Sequence, residues 1–261
     1  MGKKLVLYDK IYNITSEKKR KDFIIRYSKY LREYTKGFSN TKIKINKLRD
    51  YDKRFEIFIN GPEEIFVFNL LKKEIGCINE FKEIQVGKVY KGTMIDVGKV
   101  GFGIFIDCAI MNPKVDVLIN LHSLRDQLCK KREKPLTEII EAYDLIDHFP
   151  IEAKIIKIDK ENHKLQGEIA ANSLNIFKKI MNENLEAIFL SGETKGQFKK
   201  AITRKGHFRD IITVKRFGFL ENLVLLKQDS NAPGIIAHIG RDLENCKFSV
   251  LQPKRIRKLY T

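Results

Sequence analysis

The chain has 261 residues, enough for two or three domains with cores of their own. Lys and Arg number 50 against 33 Asp and Glu, a net charge of +17, and so self-repelling an excess points to a polyanionic partner. The 43% hydrophobic content excludes a disordered chain, four scattered cysteines without a CxxC pair exclude a disulfide framework and a zinc ribbon, and no apolar run reaches the roughly 18 residues of a membrane span.

The first segment, residues 1–82, reads as strand, helix, strand, strand, helix, strand. Residues 4–8 form a short β run. Thr15 and Ser16 before Glu17 mark a helix start. Phe23, Ile24, Tyr27, Tyr30, Leu31 and Tyr34 then recur at helical spacing until Gly37. Ile43, Ile45 and Leu48 alternate with lysines, and Phe55, Ile57 and Ile59 alternate with Arg54, Glu56 and Phe58, which predicts two strands joined near residues 50–52. Pro62 and two glutamates open a second helix through Val67, Leu70 and Leu71, ending near Gly76. A last strand over residues 78–81 completes a βαββαβ order, the ferredoxin-like pattern.

Residues 83–171 change character. Three apolar runs, at 87–95, 100–107 and 115–120, follow closely, and Gly92, Gly101 and Gly103 interrupt them. Glycine lets a strand coil tightly, as a small β-barrel requires. Strands four and five are expected at 151–158 and 164–170, with a helical insertion at 124–149 that carries Leu136, Ile139, Ile140, Tyr143 and Leu145 at helical spacing.

Residues 172–261 begin with a connector helix and repeat the opening order. Strands are expected at 187–190, 210–216, 220–227 and 248–251. Helices are expected at 194–204 and after Asn231-Ala232-Pro233-Gly234. The fold class is therefore α+β, a central barrel flanked by two small ferredoxin-like domains, the last with a basic tail. The N-terminal residues lack the apolar stretch of a signal peptide, and a cytoplasmic protein is expected.

The run Phe102-Gly103-Ile104-Phe105-Ile106 resembles the second strand of S1 domains, an OB-fold variety that binds single-stranded RNA, and Val117-Leu118-Ile119-Asn120-Leu121-His122 is similar to their third. The resemblance implies that Phe102 and Phe105 belong to a base-stacking surface. It also implies that Asn120 stands where a His often contacts RNA, with His122 where Ser is usual. Strand alternation places Phe102 and Phe105 on opposite faces; a bulge or tight coil at Gly101 or Gly103 brings both outward, and without one a single ring faces the ligand. The run at 229–240 together with the barrel also resembles an archaeal family of uncharacterised proteins, which implies no activity.

Tyr90 and a set of cations flank the expected face: Lys88 and Lys91 beside Tyr90 on the first strand, Lys99 in the following loop, Lys154, Lys157 and Lys164 on the last two. A second basic stretch gathers Lys199, Lys200, Arg204, Lys205, Arg209 and Arg216 around Asp210, with Phe208, Phe217 and Phe219 interleaved. No P-loop, HxxxH pair or GxSxG elbow occurs. The expectation is a non-catalytic RNA-binding protein without metal or cofactor, acting in translation, ribosome maturation or RNA processing, with RNA and a protein of an RNA-handling complex as its partners. The alternatives are a protein-docking adaptor and a nuclease using Asp96, Asp107, Asp116 and Asp159.

Overall fold

The computed structural model describes residues 2–14 and 16–261, so Met1 and the Thr15 of the expected helix start lie outside the described residues. Two compact units divide the chain, residues 1–78 and 79–261.

In the first unit, β1 (Lys3–Lys10), α1 (Glu17–Thr35), β2 (Lys42–Leu48), β3 (Arg54–Asn60) and α2 (Glu64–Glu74) follow in order. The sheet is antiparallel, ordered β1-β3-β2. Ser16 caps α1 by accepting from Lys19 N at 3.2 Å. The helical spacing buries Phe23, Tyr27, Tyr30 and Leu31, and the Tyr27 ring stacks on Phe55 with centroids 3.7 Å apart. Burial first, then the Asp9 carboxylate, hold the Tyr27 phenol well above its ordinary pKa.

The ferredoxin-like pattern expected for this segment needs correction at its last strand. Next to β1 that strand shrinks to one bridge, Leu7 opposite Cys77, with Ile78 N donating to Val6 O. The next residues, β4 (Asn79–Glu80), pair instead in parallel with the barrel strand β6 (Gly103–Met111). Gly76, at φ +96°, turns the chain out of α2 just before the Leu7–Cys77 bridge.

The barrel is built from β5 (Val89–Ile95), β6, β7 (Val115–Asn120), β8 (Pro150–Asp159) and β9 (Lys164–Ile169). β5 pairs with β6 and β8, β6 with β7, β8 with β9, and a parallel β7–β9 pairing closes the ring. Gly92 is required inside it, because a Cβ there would overlap Ile106 Cγ2 and Cys108 Sγ. The insertion folds as two helices, α3 (Leu121–Leu128) and α4 (Leu136–Tyr143), of which only the second was expected. α5 (Ala171–Glu183) leads out.

Then come β10 (Ala187–Ser191), α6 (Lys195–Arg204), β11 (Ile211–Arg216), β12 (Glu221–Leu226), α7 (Ala232–Ile239), β13 (Lys247–Leu251) and α8 (Pro253–Arg257). Their antiparallel sheet is ordered β11-β12-β10-β13. One face buries Ile188, Leu190 and Val224 against Phe198, Ile202, Ile235 and Ile239. The other, through Phe189, Leu223 and Leu251, joins the barrel core, with Phe149 and Phe189 centroids 4.6 Å apart. Among the described residues no helix is long and apolar enough to cross a membrane.

Candidate nucleic-acid interface

Ile104, Ile106, Val117, Ile119 and Leu165 point into the barrel and are buried, so the residues between them point out. Register then lines up one outer row: Ile95 opposite Phe105, Phe105 opposite Leu118, Leu118 opposite Gln166, and Gln166 opposite Lys157. Phe105 is half-buried in this row.

Phe102 is 54% exposed and meets Phe105 edge to face, centroids 6.1 Å apart. Both aromatics therefore lie on the outer surface. The alternation that would separate them does not apply, because β6 begins at Gly103 and Phe102 belongs to the incoming bend. Two contacts hold that bend. Leu121 N donates to the Phe102 carbonyl at 2.8 Å. Gly103 sits so close to β7 that a Cβ would collide with Ile119 O and come within 2.9 Å of Leu118 Cδ1.

A groove of about 500 Å³ lies under the two rings. Leu118 and Gln166 contribute its floor, and Lys114, Asp116, His163 and Lys164 line it further along. His163 is exposed at φ +50°, and its ring packs 5.3 Å from Phe81. Such a groove offers two ring faces for stacking, an amide for base edges and two ammonium groups for phosphates.

Of the residues expected at this face, Phe102, Phe105 and Lys164 line the groove and Lys157 stands opposite Gln166; Lys114, Leu118, His163 and Gln166 were missed. Tyr90 packs on the barrel core and its hydroxyl accepts from Gln85 N at 3.1 Å. Lys88 and Lys91 lie at the β5–β8 side. Lys154 pairs with Glu168 at 3.0 Å. Lys99 pairs with Asp96 at 2.6 Å, which raises the lysine's pKa. His122 sits on α3, 3.5 Å from Asp126.

Asn120 ends β7 and caps α3, its Oδ1 accepting from Ser123 N at 2.8 Å. Asn120→Ala is expected to cost about 1 kcal/mol of stability, as loss of an N-cap does, and to leave RNA affinity unchanged; thermal unfolding and an RNA titration on the same sample check both.

The second basic stretch is less open than its sequence implies. Lys199, Lys200, Lys205 and Arg209 are exposed, but Arg204 pairs with Asp242 at 2.7 Å and Arg216 is half-buried. Phe219 is buried and Phe217 packs on the core, leaving Phe208 as the exposed ring of the three. A contact that no spacing announces joins two histidines. His207 Nδ1 lies 2.8 Å from Asp210 Oδ2 and its Nε2 lies 2.8 Å from His238 Nδ1.

Three of the carboxylates considered for a nuclease serve local geometry. Asp107 accepts from Ala109 N at 2.9 Å. Asp159 accepts from Asn162 N at 3.0 Å, the main cause of its lowered pKa. Asp96 holds Lys99.

No curated protein matches this chain. Solved structures are similar at low levels, these three among them. An uncharacterized protein from Methanocaldococcus jannaschii is 19% identical with a TM-score of 0.24, over 34% of this chain and 96% of that one. The a/eIF2alpha–aDim2p–rRNA complex from Pyrococcus horikoshii OT3 gives 13% identity and a TM-score of 0.26, over 47% and 64%. The intact alpha subunit of aIF2 from Pyrococcus abyssi gives 9% and 0.24, over 65% and 97%. Models of the DUF2110 central domain match residues 84–181, and of the DUF2110 C-terminal domain residues 186–251, so DUF2110 family domains are present in this chain.

Proposed function

We propose that this is a non-catalytic, cytoplasmic RNA-binding protein acting in translation, ribosome maturation or RNA processing. Its barrel works as an S1-type OB module. Unpaired bases stack on Phe102 and Phe105, and Lys114 and Lys164 hold the adjoining phosphates. The observation that carries the reading is the pair of outward rings above a groove with two lysines, in a chain of net charge +17. Gln166 beside Leu118 supplies both a donor and an acceptor for a base edge. The exposed lysines of α6 add attraction that is indifferent to sequence.

The test is a titration of a fluorescent single-stranded oligouridine across salt, from about 50 to about 200 mM. Saturable binding that weakens steeply with salt is expected. Converting Lys114 and Lys164 to Gln should flatten the log–log salt slope by about 1.4, near 0.7 for each phosphate released on a single strand. Salt-independent binding, or none, contradicts the proposal.

A further inference from the structure

The first unit carries a groove of about 610 Å³ between α1 and β2. β2 is an edge strand: it pairs with β3 on one side, and among the described residues no strand pairs with the other. An edge strand displays backbone donors and acceptors in a row, a template for another extended chain. Natural edges are commonly blunted by lysines, a bulge, a proline or a covering element; this one carries Lys42 and Lys44 and a register shift after Ile45, which disfavour a like-charged strand, but no proline and, among the described residues, no covering strand.

The side chains state what would fit. Ile43 and Ile45, both half-exposed, line the groove with Leu31, giving an apolar floor. Lys42 and Lys44 alternate with them and lie on the strand's other face, while Arg32 and Lys36 stand at the end of α1 on the isoleucine side. No carboxylate lines the groove, and none of these four cations makes an ion pair among the described residues. A second copy of β2 laid on this edge would set lysine against lysine. For a nucleic-acid strand the groove itself holds one ring, Phe38, which is packed on Phe66 with centroids 5.1 Å apart.

We propose that the free edge of β2 takes an extended protein segment in which apolar and acidic residues alternate, added to the sheet as a further strand. Main-chain bonds would supply affinity. The two-residue period would put the apolar side chains on Ile43 and Ile45 and the carboxylates beside Lys42 and Lys44 on the other face.

The probe is a fluorescein-labelled peptide of about ten residues with alternating valine and glutamate, titrated into the full chain, on the reach of one strand. Saturable binding is expected. A proline at the peptide centre should weaken it at least about tenfold by removing a ladder donor, and the valine–lysine counterpart should not bind. The exposed pair Lys42→Glu and Lys44→Glu should weaken binding by more than about tenfold with an unchanged circular dichroism spectrum, whereas Phe102→Ala should leave it unaltered. Absence of saturable binding, equal binding of the proline peptide, equal binding of the lysine peptide, or displacement of the peptide by stoichiometric oligouridine would each overturn the proposal.

Discussion

Replacing Phe102 by alanine is expected to weaken single-stranded RNA binding about tenfold while leaving the fold intact. Stacking on an aromatic side chain contributes about 1–3 kcal/mol per base, and each 1.4 kcal/mol is a factor of ten. The Phe102 ring is 54% exposed, so truncating it removes little core packing, and surface changes of that kind stay within about 0.5 kcal/mol of stability. Phe105 behaves differently. It is half-buried in the row with Leu118, so Phe105→Ala should lower both affinity and melting temperature. The two rings touch edge to face, and the double variant should lose less affinity than the two single losses combined. Anisotropy titrations of the two single variants and the double, beside thermal melts, separate these outcomes. An unchanged affinity in Phe102→Ala would remove the stacking role.

Gly103→Ala should be the most damaging single change at the site. The added carbon would run into the Ile119 carbonyl, which is backbone in a paired strand and has no rotamer to yield. β6 and β7 must then separate, at a cost of about 2–3 kcal/mol as for other overpacked positions. For a chain of this size that lowers the melting temperature by roughly 4–12 °C. RNA affinity should fall with it, because the same contact seats the bend that carries Phe102. Gly101→Ala is the control: a Cβ there meets nothing within 4 Å, so stability and binding should both persist. Equal effects of the two substitutions would show that close approach of β6 to β7 is not what holds the ring in place.

The elements of the barrel are readable in the chain because each signal is local. Glycines mark where strands coil, and apolar alternation marks the strands between them. The outward placement of Phe102 was legible only as one of two alternatives, since the pattern does not say whether the strand includes Phe102 or, as here, begins at Gly103. α3 was hidden by the strand-like motif ending at His122, although an Asn capping position three residues before the hydrogen-bonded Ser123 N was a legible signal. Lys114, His163 and Gln166 reach the groove through the parallel β7–β9 pairing that closes the barrel. That pairing joins residues about fifty positions apart and leaves no periodicity behind. The His207–His238 contact, across two helix ends, is hidden for the same reason. The shortened fourth strand of the first unit was misread because Ile78-Asn79-Glu80-Phe81, apolar only at its two ends, fits a strand equally well beside β1 or beside β6.

The most direct test of RNA recognition by the barrel is ultraviolet crosslinking of the full chain to single-stranded oligouridine, followed by mass spectrometry of the adducted peptides. Attachment should concentrate on the segments bearing Phe102, Phe105 and His163, and should vanish from them in high salt. Adducts confined to other surfaces, with these segments unmodified at saturating RNA, would contradict the assignment.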